Sequence, residues 1–184
     1  MDLLFTIMLA HLLADFPLQS NSLAASKTKS LKSLLNHIVI HAGVLWALLG
    51  FKSGALPIVL GVSGSHLVVD WLKPRLLHKS AVSAFIIDQS AHFICILGIG
   101  ISALLLYPEY PTVVVSRMLL YPSFLVSLGF AFMVLYWTWT TSLSHETVEQ
   151  SAHLRWSRDR LLEIEQRAGL GLIFLIGIGS FLIY

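Results

Sequence analysis

Six stretches of this chain, residues 3–19, 34–51, 55–72, 84–107, 119–143 and 168–184, are almost free of formal charge. Each is long enough to matter, because crossing a bilayer takes about 20 mainly apolar residues, with a range of about 17–25. In lipid every backbone N–H and C=O must find a partner within the protein, and a helix does this inside one segment. The expected fold is therefore all-α, a polytopic membrane bundle of about six transmembrane helices. Composition agrees, with 56% hydrophobic and only 12% charged residues and a mean hydropathy of +0.78, against about 25% charged in soluble domains. A net charge of +2 is too small to suggest nucleic acid as a partner. The expected partner is the lipid bilayer, and a homo-oligomer is left open. Cys95 is the single cysteine, so no intrachain disulfide can form. The start, MDLLFTIMLA, has no basic region and carries Asp2, so it does not read as a cleaved leader.

Lys and Arg set the expected orientation. Segment 20–33 holds Lys27, Lys29 and Lys32, segment 73–83 holds Lys73, Arg75 and Lys79, and segment 144–167 holds Arg155, Arg158, Arg160 and Arg167. The two remaining connections hold only Lys52 and Arg117. The three basic connections alternate along the chain, which places them in the cytoplasm and both termini outside. The expected location is a bacterial inner membrane. Residues 1–107 read as a four-helix unit, and 108–184 as two further spans with a cytoplasmic amphipathic helix over 144–168.

The first four spans share an unusual feature. Each carries one pair of His or Asp residues four apart: His11 and Asp15 in HLLAD, His37 and His41 in HIVIH, His66 and Asp70 in HLVVD, Asp88 and His92 in DQSAH. Thirteen His and Asp residues scattered at random would give about one such pair. On a helix this spacing puts both side chains on one face, with Cβ atoms about 5–6 Å apart. An ionisable group at the centre of a span costs about 2.5–3.5 kcal/mol even on the lenient insertion scale. Eight of them need one another, or a cation.

Alternate helix directions sharpen the expectation. The pairs resolve into a deep layer of His11, His41, His66 and His92 and a shallow layer of Asp15, His37, Asp70 and Asp88, one helical turn apart, about 5–6 Å. Five imidazoles with three carboxylates suit Zn²⁺, Fe or Mn²⁺ better than Ca²⁺ or Mg²⁺. Paired ligands on facing helices are how bundles build metal centres, and eight donors can hold one ion or two. A structural network and a metal-free proton path are the competing readings. Haem is opposed by the aspartates, which are not among its usual axial ligands.

Other positions are less specific. Gln19 lies one turn beyond Asp15, and Gln89 follows Asp88. Either could hydrogen-bond a substrate. Pro17 is expected to end the first helix just past Asp15. Pro122 fits the first turn of the fifth span. Cys95 reads as a packed hydrophobe before a soft ligand. Ser144 is a helix N-cap, and His145, Glu149 and His153 form a stripe beside Arg155, Asp159, Glu163 and Arg167. Alternating charge at that spacing marks a solvated helix, one that could also lie over the site.

The boxes AHLLADFPLQS, HIVIHA, HLVVDWLK and DQSAHF, in that order, resemble a bacterial and phage family of small membrane proteins, domain of unknown function 3307. The resemblance covers about residues 1–105. It implies a polytopic membrane protein carrying these boxes and supplies no reaction.

The residues themselves suggest a metal-dependent hydrolase acting on a lipid or lipid-linked substrate from the cytoplasmic side. A metal lowers the pKa of water and polarises a carbonyl or phosphoryl oxygen. Asp88, Asp15 or Asp70 would serve as the catalytic carboxylate. Lys73 and Arg75 would hold an anionic head group, with Gln19 and Gln89 as further substrate contacts. The alternatives are a di-iron oxidoreductase and a metal-ion or proton transporter. The apolar outer halves, GVLWALLGF and LGIGISALLLY, favour a one-sided pocket over a transport path.

Overall fold

The structure, a computed structural model, describes residues 1–76, 80–106 and 115–183. Among these residues it is all helical. The order is α1 (Asp2–Asp15), α2 (Asn21–Ser26), α3 (Leu31–Leu48), a 3₁₀ turn (Ser53–Ala55), α4 (Leu56–Leu76), α5 (Ala81–Leu106), α6 (Arg117–Ser142), α7 (His145–Glu149) and α8 (Ala152–Ile183).

Local chemistry sets the ends of these helices. Ser20, Ser30 and Ser144 cap α2, α3 and α7, each hydroxyl accepting from a backbone N–H three residues on. α3 ends in a Schellman turn. Phe51 N–H reaches Trp46 C=O and Gly50 N–H reaches Ala47 C=O, both at 2.9 Å, and Gly50 and Phe51 take positive φ. The Trp46 and Phe51 rings meet edge to face with centroids 5.4 Å apart, the apolar contact that such a turn favours. Pro17 has no N–H to continue the ladder, and Phe16 leaves helical geometry at φ −111°, ψ −88°, so α1 stops at Asp15 as expected. Pro122 departs from expectation. It lies inside α6 rather than in its first turn, because α6 begins earlier, at Arg117.

Among the described residues, four segments are long and apolar enough to cross a membrane: Leu31–Leu48, Ser53–Lys73, Ala81–Leu106 and Arg117–Ser142. Only 22–39% of each such window is buried inside the protein, which leaves wide apolar faces for lipid. α1 differs. At 14 residues it is about 21 Å long, shorter than the hydrocarbon core, and it is buried on almost every side. It packs against α3, α5 and α6, so it is the post around which the bundle is arranged. α8 also differs from the expected separate amphipathic helix and short span: it runs unbroken for 32 residues, about 48 Å.

The apolar core spans the whole chain, joining Leu3, Ile7 and Leu9 of α1 to Leu45, Ile58, Ile96, Leu120 and Ile176. At one end of the bundle Asp2 ties α1 to α6. Arg117 Nε and the Tyr121 hydroxyl each donate to its carboxylate at 2.8 Å, and these partners hold the Asp2 pKa below its usual value. At the other end Gly169 of α8 touches Pro17, where a Cβ would overlap the proline ring.

This contact predicts opposite effects at two glycines of one helix. Gly to Ala inside a helix ordinarily gains about 0.5–1 kcal/mol. Gly171→Ala, with open space around it, should keep or raise the thermal midpoint in detergent. Gly169→Ala should lower it. Equal midpoints would show that α8 does not press on the end of α1.

Candidate metal centre

The four boxed helices bring the eight expected residues together, and all eight are buried. α1 supplies His11 and Asp15, α3 His37 and His41, α4 His66 and Asp70, and α5 Asp88 and His92. α1 presents Asp15 to three histidines of its neighbours. Asp15 Oδ1 lies 2.9 Å from His41 Nε2, 3.0 Å from His37 Nε2 and 3.4 Å from His66 Nε2. His66 is the hub of the imidazoles. Its ring centroid is 3.7 Å from that of His41 and 3.9 Å from that of His92, and the His92 pair is nearly parallel. The two expected layers interpenetrate, since the shallow His37 meets the deep His66 at 3.1 Å between Nε2 atoms.

Among the described residues, three groups of donors converge closely enough to share one cation: His11, Asp15, His41 and His66; His37, His66 and Asp70; and Asp70, Asp88 and His92. Within each group the donor atoms lie within 4.8 Å of one another. The second ring nitrogens are less complete. Nδ1 of His11 and of His37 is buried with no hydrogen-bond partner, whereas metal-ligating imidazoles usually donate through the second nitrogen.

Two lysines compensate the carboxylates. Lys73 Nζ donates to Asp88 Oδ2 at 2.7 Å. Lys27 Nζ lies 3.0 Å from Asp70 Oδ2 and 3.1 Å from His37 Nε2. Only 9% of Lys27 is exposed. Burial works against its charge, but Asp15 and Asp70 outweigh that cost and raise its pKa above the usual value. With neutral imidazoles, three carboxylates facing two ammonium groups leave one net negative charge in the cluster.

The expected substrate residues take different places. The Gln89 amide is bound within the cluster, with Oε1 3.2 Å from His11 Nε2 and Nε2 donating to Asp15 Oδ2 at 3.1 Å. Gln19 donates through Nε2 to the Asp15 carbonyl at 3.1 Å and leaves Oε1 without a partner. Lys73 is committed to Asp88. The Arg75 side chain and Lys79 lie outside the described residues. Cys95 is free and half-buried and is not among the convergent donors. His145 pairs with Glu149 at 3.8 Å in the open, and His153 is exposed, so that stripe stays apart from the cluster.

Two residues were missed. Lys27 read as a loop charge, and no pattern in the sequence separates it from Lys29. Glu165 of α8 is only 2% exposed, and its Oε1 has no partner. Burial alone pushes its carboxyl up to about 7. Here a signal existed. The charged stripe Arg155, Asp159, Glu163 and Arg167 implies an opposite, buried stripe, and Ser157, Leu161 and Glu165 form it.

A family model described as "Protein of unknown function (DUF3307)" matches residues 3–121, from α1 into the first turns of α6. That range holds all eight boxed residues with Lys27, Lys73 and Gln89, but not Glu165. No curated protein and no solved structure matches the chain. With well over half its length matched, and with the boxes of all four helices inside the match, the chain belongs to the DUF3307 family.

Proposed function

We propose that this protein is a metal-dependent hydrolase of the bacterial inner membrane, acting from the cytoplasmic side on a lipid or lipid-linked substrate. The observation that carries this reading is the convergence of His11, Asp15, His41 and His66 from three helices, with donor atoms within 4.8 Å of one another. Around a tetrahedral zinc, ligand atoms lie about 3.3–3.6 Å apart. The 3.4 Å from Asp15 Oδ1 to His66 Nε2 falls in that range, and the 2.9 Å to His41 Nε2 is a little shorter.

Charge favours one ion over two. A single dication turns the residual negative charge into a single positive one. Two dications would leave a larger uncompensated charge, which is expensive in a buried site. Zn²⁺ fits this donor set first, with Fe and Mn²⁺ next. When bound, the metal supplies water of lowered pKa and polarises the scissile group.

The three carboxylates then divide their roles. Asp15 is occupied by three imidazoles and is a ligand. Asp70 pairs with Lys27. Asp88 is held at Oδ2 by Lys73, while its buried Oδ1 accepts no hydrogen bond and lies 3.7 Å from His92 Nε2. Asp88 is therefore the general base, and Lys73 positions it rather than binding a head group. Gln89 holds His11, Asp15 and Asp88 in register.

The membrane reading is six spans, with α1 as a short, protein-sheathed crossing and the apolar half of α8 as the last. The Lys and Arg distribution places both termini outside. Labelling of single cysteines introduced at Lys29 and Arg160, both exposed, should require permeabilised cells. Labelling from the periplasm in sealed cells would reverse the orientation.

The catalytic test uses Asp88→Asn, which is nearly isosteric but cannot accept a proton. It should retain the metal and lose about 10²–10⁴-fold in the release of fatty acid or phosphate from membrane lipids. A parallel liposome assay reads metal or proton flux. Flux without product would replace the hydrolase by a transporter. An oxygen-dependent product from an iron-loaded protein would replace it by an oxidoreductase.

A further inference from the structure

A cavity of about 410 Å³ opens beside the cluster, between the end of α1, α2, α6 and α8. Asp15, itself one of the proposed metal ligands, is among the residues that line it. Phe16, Val134, Trp137 and Leu162 line its sides. Its volume is within the range of about 300–1,000 Å³ typical of small-molecule sites.

Three side-chain donors of its lining are engaged with protein: Gln19 Nε2 with the Asp15 carbonyl, Trp137 Nε1 with the Arg158 carbonyl at 3.0 Å, and Gln166 Nε2 with Asn21 Oδ1 at 3.3 Å. Two acceptors are buried without partners, Gln19 Oε1 and Glu165 Oε1. The Gln19 orientation is fixed by its network, since the reverse amide would set oxygen against the Asp15 carbonyl. A buried acceptor without a partner is costly, and here the two residues that carry them both line one largely apolar space. The missing complement is a hydrogen-bond donor attached to an apolar body.

We propose that this cavity binds the head of a single-chain amphiphile through a hydroxyl or ammonium group donated to Gln19 and Glu165, and delivers it to the Asp15 side of the cluster. This rests on the hydrolase reading and names its substrate class. Glu165 borders the cavity as an acid, so in its ionised form it would repel the free carboxylate or phosphate of an anionic head. The far wall, from Val134, Trp137, Leu162, Glu165 and Gln166, lies beyond the residues matched by the family model. Head-group selection is then a property that this chain's last two long helices add to the family's cluster.

Native mass spectrometry of the purified full chain, released from detergent, tests this with three matched 18-carbon probes: monooleoylglycerol, oleylamine and oleic acid. Monooleoylglycerol, oleylamine or both should bind, with oleic acid at least about ten-fold weaker. Glu165→Leu and Gln19→Leu should each weaken binding about ten-fold while metal content stays at the wild-type level. Glu165→Gln keeps a neutral acceptor and the side-chain shape. It should spare monooleoylglycerol and weaken oleylamine, which separates hydroxyl from ammonium recognition and guards against a misfolded Leu variant. Oleic acid binding as tightly as the other two would overturn the proposal. So would binding that survives unchanged in Glu165→Leu and Gln19→Leu. Selective binding by a protein that holds no metal would leave the cavity standing and remove only the hydrolase.

Discussion

Three carboxylates and five imidazoles buried inside an apolar bundle are the constraint to which the rest of this structure answers. No single helix can shelter such groups from lipid, and charge removed from water is tolerated only when it is paired and hydrogen-bonded. Each boxed helix therefore has to turn its pair inward, and all four have to meet. Lys27 and Lys73 are drawn into the same problem from the basic connections, and their ammonium groups offset two of the three aspartates. Removing one partner from such a network leaves a buried charge uncompensated, which ordinarily costs more than the pair itself contributes.

The shape of α1 follows from this. A helix that faces lipid needs one polar-free surface, and a helix that supports three neighbours needs none. α1 is apolar or cluster-forming all round and is covered by α3, α5 and α6. Its shortness places Asp15 at the end of the helix, where Pro17 breaks the backbone and a cavity opens. The carboxylate that meets three imidazoles thus sits where regular structure stops.

The eight boxed residues were legible because three independent patterns agreed on them: hydrophobic run length, the i, i+4 spacing, and the reversal of residue order on antiparallel helices. The ends of α3 and α7 were set by capping groups close in sequence. What was not legible depended on contacts far apart in the chain. Nothing local distinguishes Lys27, which folds back under the cluster, from Lys29, which does not. The centrality of α1 is a matter of which helices surround it, and its 14 residues gave no warning. Glu165 was hidden by the louder charged stripe on the other side of the same helix, although Ser157 and Leu161 complete its buried face.

The central question is whether the cluster holds a metal through His11, Asp15, His41 and His66. X-ray absorption at the metal edge of the purified protein, with elemental analysis of the same sample, reads this most directly. About one Zn, Fe or Mn per chain is predicted, with nitrogen and oxygen ligands only and the outer-shell signature of three imidazoles; for zinc the ligand distances should be about 2.0–2.2 Å. A protein that carries no metal and takes up none when it is supplied would contradict the account, as would a spectrum without imidazole.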